Sequence, residues 1–217
     1  MPVKVGLRYI EIWKDSMEDA VRAYEQEPIE KGQIVFYGPS NFTRWSPKYG
    51  NPSLRETLLG KSGQPCAINR GFGSSCSEHQ LYYYPRMVRP LEPKVLVYSP
   101  FGNFDSFGYS VEECWELAQR VIIYALTDFP GIRIYLCSSF ACRDMNEKGL
   151  EMRARLDGLM KEFAKNTPDV CYVDVMSREE MKDKSIFIED GVHYNPEGYR
   201  RYAEMFREVL KDELDKY

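Results

Sequence analysis

The sequence predicts an α/β protein: a three-layer αβα domain around a doubly wound, flavodoxin-like parallel sheet of five strands. Three observations lead there. From Gln33 onward, short apolar runs of strand length alternate with longer stretches of helical periodicity. Those short runs are nearly continuously apolar, the pattern of strands covered on both faces. Right-handed crossovers between parallel strands then put helices on both sides of the sheet.

The elements follow in chain order. An amphipathic helix over about Met17 to Glu25 precedes the sheet, so residues 1–32 are expected to form a helical extension packed on a single domain of residues 1–217. The strands are Ile34–Tyr37, Ala67–Asn69, Lys94–Tyr98, Ile132–Cys137 and Val170–Val175, each a short apolar run bounded by polar or turn-forming residues. Helical patterns cover Ser53–Leu59, Ser77–Tyr84, Val111–Thr127 and Asn146–Lys165 between them. The last helix has Asn195 as N-cap and Pro196 at its first position, and runs to about Leu214. No repeat, low-complexity tract or linker divides the chain.

Composition excludes several function classes. At 217 residues the chain fits one domain with a substantial core, and 43% hydrophobic with 29% charged residues is ordinary for a soluble protein. A net charge of −4 without a basic run gives no electrostatic case for nucleic acid. Met1 to Lys14 lacks the apolar core of a signal peptide, and no apolar run reaches membrane-spanning length, so a cytoplasmic location without membrane contact is expected. The six cysteines contain no Cys-x-x-Cys pair. Cys66, Cys137 and Cys171 lie in or beside strands as core thiols, and no metal site or other cofactor is expected.

In open α/β sheets, ligands bind beyond the carboxyl ends of the strands. The segments found there are Gly38-Pro39-Ser40-Asn41, Arg70-Gly71-Phe72-Gly73-Ser74-Ser75, Ser99 to Asp105, and Ser138 to Arg143. After the fifth strand, beyond a longer excursion, come Asp190 and His193. The chain has only two histidines, and an Asp three residues before one of them can orient its imidazole and stabilise the imidazolium. A hydroxyl, a Gly-rich turn, an amide, an arginine and an Asp/His pair together supply what acyl transfer requires: a nucleophile, an oriented base and oxyanion donors.

Each of these residues also has a plainer use. Ser40 could be a helix N-cap or turn residue. The Gly71–Ser75 turn could cradle a phosphate, but it lacks the full Gly-x-Gly-x-x-Gly pattern and a Walker lysine. His79 reads as a surface or packing residue, and Tyr82-Tyr83-Tyr84 as packing under a loop or the lining of a sugar or acyl site. Arg143 could neutralise a substrate carboxylate or pair with a neighbouring acid.

Taken in order along nearly the whole chain, these segments resemble the sequence blocks of the SGNH (GDSL-type) hydrolase superfamily. Ile34-Val35-Phe36-Tyr37-Gly38-Pro39-Ser40 matches the first block, with Pro39 in place of its Asp or Ser. Asn69-Arg70-Gly71-Phe72-Gly73-Ser74 matches the second, with Ser74 where a Gly is usual. Phe101-Gly102-Asn103-Phe104-Asp105 matches the third loosely, and Asp190 with His193 matches the last fully. The resemblance implies a serine esterase or acylhydrolase with Ser40 as nucleophile, His193 as base and Asp190 as its partner. It further implies an oxyanion hole from the Ser40 N–H, the N–H of Gly73 or Ser74, and the Asn103 amide, unless Gly102 occupies that register. Arg143 is then a candidate substrate-binding residue. The expected partner is a small ester substrate, with a lean towards short acyl groups on carbohydrate because no long apolar lid is present. The alternative is a non-catalytic carbohydrate- or acyl-binding protein on the same scaffold, with a mononucleotide-binding protein a distant third.

Overall fold

Side chains alternate across each strand, and this divides the core in two. The computed structural model describes residues 14–100, 103, 107–139 and 142–217. Its sheet contains β1 (Ile34–Gly38), β2 (Ala67–Gly71), β3 (Val95–Tyr98), β4 (Arg133–Cys137) and β5 (Val170–Val173), all parallel, in the order β2-β1-β3-β4-β5. This is the doubly wound order, with the chain reversing direction across β1 and β3.

Val35, Tyr37, Leu96, Tyr98, Ile134 and Leu136 point to one face. There they meet α1 (Lys14–Glu25), α4 (Ser77–Met87), α5 (Val111–Asp128) and α6 (Glu147–Asn166). Ile34, Phe36, Val95, Val97 and Cys137 point to the other. That face is covered by α2 (Ser40–Thr43), α3 (Leu54–Thr57), α7 (Pro196–Val209) and α8 (Lys211–Leu214). Phe36 lies at the centre of this second half, its ring 5.3 Å from Phe42, 5.9 Å from Trp45 and 5.1 Å from Phe206, all edge-on. On the first face, α1 is tied to α4 by ion pairs from Arg86 to Glu18 and Glu25. No described helix is long and apolar enough to cross a membrane.

Several boundaries differ from the sequence expectation for identifiable reasons. The 53–59 helix is reduced to the single turn of α3. α4 continues through Pro85 to Met87, where a helix end was expected at Tyr84. The last helix breaks at Leu210 into α7 and α8. β5 stops at Val173 because the Ser138 hydroxyl takes the backbone N–H groups of Val175 and Met176, at 2.9 and 3.0 Å, out of the ladder. Asn195 does cap α7, accepting from the Gly198 N–H at 3.0 Å with Pro196 following. All six cysteines are free thiols.

At the exit of β4, the Asp157 carboxylate of α6 accepts from the Ser139 N–H and hydroxyl, both at 3.0 Å. Burial pushes its pKa up to about 6, and the two Ser139 bonds only partly offset this. The folded state therefore keeps a proton that the unfolded chain loses near pH ~3.9. The stability linked to that proton is full below the unfolded value and is lost as pH rises through about 6. Asp157→Asn keeps an acceptor for Ser139 and removes the titration. The variant should melt at temperatures that differ less between pH 5 and pH 7.5 than those of wild type, and thermal melts at the two pH values check this.

Candidate active site

The first residue after β1 and Pro39 is Ser40, at the first position of α2. Two glycines allow this helical turn to sit against the strand ends. A Cβ on Gly38 would lie 2.9 Å from the Ser99 Cβ, and one on Gly71 would lie 2.3 Å from the Thr43 nitrogen and 2.6 Å from the Phe42 Cβ. Only hydrogen at Gly71 lets α2 rest on β2. Gly71→Ala should therefore push α2 off the sheet and lower stability by about 2 kcal/mol or more, read as a fall in denaturation midpoint. Below α2, Asn41 is locked by Tyr202 (3.2 Å to its amide) and by the Tyr199 hydroxyl, which donates to its carbonyl at 2.9 Å. α7 thus fixes the turn that carries Ser40.

His193 reaches Ser40 from a hairpin-like loop closed by the Phe187–Tyr194 bridge and by the Ile188 N–H on the His193 carbonyl at 2.9 Å. Asp190 organises this loop locally. Its Oδ1 accepts the Val192 and His193 N–H groups, each at 2.9 Å, while its Oδ2 lies 2.7 Å from His193 Nδ1. Gly191 takes a left-handed φ of 69°, which an L side chain rarely adopts. The other imidazole nitrogen, Nε2, lies 2.9 Å from Ser40 Oγ. Burial raises the Asp190 pKa, but the side-chain and backbone hydrogen bonds from His193 and Val192 together outweigh it and hold the carboxyl down to about 2. Asp190 is thus an acceptor throughout the neutral range. A hydroxyl, an imidazole and a carboxylate in this sequence can transfer the hydroxyl proton to Nε2 while the carboxylate stabilises the resulting imidazolium.

The Gly73–Ser74 turn lies at the same sheet edge. Gly38 pairs with Gly71, so Ser40 and Gly73 each stand two residues beyond the last pair, and the Phe72 N–H closes on the Gly38 carbonyl at 3.0 Å. Ser74 takes φ 60°, the left-handed conformation that a glycine at this position adopts without strain. Asn103 is also left-handed, with φ 54°, and its amide donates to the Ser75 carbonyl at 3.4 Å. Gly102 lies outside the described residues, as do Phe101, residues 104–106, and Phe140 with Ala141.

Arg143 is not turned towards an open substrate position. Its guanidinium donates to Asp144 (2.7 Å) and to the carbonyls of Ile188 (3.3 Å) and Glu189 (2.9 Å), and its N–H donates to the Gly191 carbonyl at 2.7 Å. A carboxylate neighbour and the carbonyls of the 188–191 loop satisfy it, so it braces the loop that carries Asp190 and His193. His79 is fully buried, its Nδ1 accepting the Cys76 N–H at 3.3 Å as part of the N-terminal cap of α4. It is a packing and capping residue. Tyr83 and Tyr84 are buried while Tyr82 is exposed.

Sequence reasoning overlooked Asn69 and Tyr24 as supports. Asn69 donates to the Phe42 carbonyl at 2.7 Å and accepts from Gly71 N–H at 2.8 Å, and the Tyr24 hydroxyl donates to the Gly71 carbonyl at 2.7 Å. Asn69 offered a faint signal, a polar amide directly after the apolar start of its strand, Ala67 and Ile68. Tyr24 offered none.

A cleft of about 720 Å³ runs along the edge of β2 between α1 and the 43–55 segment, and reaches Gly73 and Ser74. Its walls include Tyr24, Glu27, Lys48, Tyr49 and Arg55, a mixture of aromatic rings, hydroxyls and both signs of charge.

A five-stranded doubly wound sheet with a Ser–His–Asp relay beyond its strand ends defines a particular class of α/β domain. No protein-family model matches the chain, and no curated protein matches it in sequence. Solved structures do match it in fold. A Streptococcus pneumonia protein given the working description platelet activating factor superposes with a TM-score of 0.71 at 18% identity, covering 94% of this chain and 96% of its own. A GDSL-like lipase from Bacteroides thetaiotaomicron gives 0.69 at 16% identity, with 90% and 97% covered. An acetyl-xylooligosaccharide esterase from Geobacillus gives 0.66 at 13% identity, with 85% and 96% covered. The chain has the SGNH hydrolase fold.

Proposed function

We propose that this protein is an SGNH-type serine esterase that hydrolyses carboxylic esters of short acyl groups through an acyl-enzyme. The observation that carries the reading is the unbroken relay from Ser40 Oγ to His193 Nε2 (2.9 Å) and from His193 Nδ1 to Asp190 (2.7 Å). His193 takes the Ser40 proton as Oγ attacks the ester carbonyl, and returns it to the departing alcohol. The N–H of Ser40, the N–H of Gly73 or Ser74, and the Asn103 amide stabilise the tetrahedral oxyanion. A water deprotonated by His193 then attacks the acyl-Ser40 carbonyl and releases the acid. The polar, aromatic-edged cleft that reaches Gly73 and Ser74 suits a polar alcohol such as a sugar, rather than a long acyl chain.

Hydrolysis of p-nitrophenyl acetate by wild type and Ser40→Ala, side by side, tests the reading. Release of p-nitrophenol that disappears in the variant supports it. Equal rates in both, or no turnover in wild type, would leave a non-catalytic binding protein as the better account.

In this mechanism Arg143 acts through the loop it braces. Arg143→Ala should lower kcat by roughly 10- to 100-fold, because small displacements of His193 are expensive, while KM changes little. Steady-state kinetics on the same ester read both constants.

A further inference from the structure

The start of α4, directly behind the Gly73–Ser74 turn, is polar and yet buried. Ser75, Ser77 and Gln80 are each at most 1% exposed. Gln80 shares a face of α4 with Tyr84 and Met87, which pack into the core against the sheet. A primary amide on such a face is costly unless its groups are bonded, so its partners explain why it is tolerated. Its Nε2 donates to the Ser99 carbonyl at 3.2 Å and to the Ser75 hydroxyl at 3.4 Å. Its Oε1 accepts the Tyr98 hydroxyl at 2.9 Å, and its backbone carbonyl accepts the Tyr37 hydroxyl at 2.6 Å.

These partners lie where three strands leave the sheet. Tyr37 is three residues before Ser40, Ser75 follows Ser74, and Ser99 leads from β3 towards Asn103. Two further bonds join the same segments: the Ser77 hydroxyl donates to the Pro100 carbonyl at 3.1 Å, and the Asn103 amide donates to the Ser75 carbonyl. Ser74 and Asn103 both carry left-handed φ values; asparagine adopts this conformation readily, whereas a serine holds it when its surroundings enforce it.

We propose that Gln80 is a positioning residue for the oxyanion donors. Its side-chain amide bridges Ser75 and Ser99, which sets the Ser74 turn and Asn103, itself bonded to the Ser75 carbonyl, to converge on the carbonyl that Ser40 attacks. Gln80 itself touches no substrate. The inference rests on the esterase reading above, and its test has one arm that does not.

Gln80→Met preserves length and volume and removes both donors and the acceptor. It should lower kcat on p-nitrophenyl acetate by roughly 10- to 100-fold, the order of a displaced oxyanion donor, with KM within about threefold. Asn103→Ala should then cost less in the Gln80→Met background than in wild type, because the donor is already misplaced. Hydrogen exchange should accelerate at residues 73–76 by about tenfold or more, with the β3 and β4 amides unchanged. If Gln80→Met does not fold, Tyr98→Phe removes only the hydroxyl that orients the Gln80 carbonyl. It should give the same pattern at smaller amplitude, roughly threefold in kcat.

A fall in kcat of less than twofold with unchanged exchange at 73–76 overturns the proposal. So does uniform acceleration of exchange across the sheet, which would mark general loosening. If wild type shows no Ser40-dependent turnover, the esterase reading fails. The exchange pattern alone then decides whether Gln80 braces this turn: selective acceleration at 73–76 supports it, and no change overturns it.

Discussion

Alanine at His193 is expected to lower kcat for p-nitrophenyl acetate by roughly 10⁴- to 10⁶-fold, and alanine at Ser40 by a similar factor. The two substitutions together should cost little more than either alone. In the proposed mechanism Ser40 Oγ and His193 Nε2, 2.9 Å apart, act as one proton-transfer unit, so removing either member would disable both. What remains would reflect binding and the oxyanion donors alone. Initial rates for the two single variants and the double variant check this, with the cysteines blocked beforehand. Cys142 and Cys171 are only partly buried, and a thiol can attack this activated ester without Ser40. Losses that multiply in the double variant would mean that the two residues act separately.

The second large effect is expected at Asp190. Asp190→Asn keeps an oxygen for the Val192 and His193 N–H groups, but it presents an amide N–H or a neutral acceptor to His193 Nδ1 where a carboxylate stood. The preferred tautomer and the stabilised imidazolium are lost together, and kcat should fall by roughly 10⁴-fold with little change in KM. The pH behaviour follows from the same geometry. Because the folded Asp190 pKa is depressed to about 2, its contribution to stability is present above the ordinary aspartate value and is lost only as pH falls towards about 2. In wild type, therefore, any loss of activity between pH 7 and pH 5 should not arise from Asp190.

Local features of the site were legible in the sequence because their causes are local. Asp190 and His193 stand three residues apart, and the bonds that join them need only one turn of chain. Asn195 and Pro196 announce the start of α7 by the same short-range logic of capping. Strand existence was equally plain, since Ile34–Gly38 or Val95–Tyr98 can be covered on both faces only within a sheet. Strand and helix ends were less so. The helical pattern of Ser77–Tyr84 continues as α4 through Pro85 to Met87, and the end of β5 depends on the Ser138 hydroxyl, 37 residues away from Val175.

The supports of the site were the least legible part. Arg143 could be read equally as a substrate ligand or as a partner of an acid. Only the approach of residues 188–191, some 45 positions along the chain, turned it onto backbone carbonyls. Gly71 read as part of a Gly-rich turn that could cradle a phosphate, yet it leaves room for Thr43 and Phe42. Gln80 gave one hint, an amide on the apolar face of a helix, without revealing which strand ends it joins.

By itself the sequence determined the α/β alternation, the helix caps and the local Asp190–His193 pair, because short-range periodicity and turn chemistry control them. The tertiary structure decided the 2.9 Å meeting of Ser40 with His193 across 153 residues, the direction of Arg143 and the bonds that tie Gln80 to Ser75 and Ser99. Such contacts depend on how separate elements close on one another, which no local pattern of residues encodes.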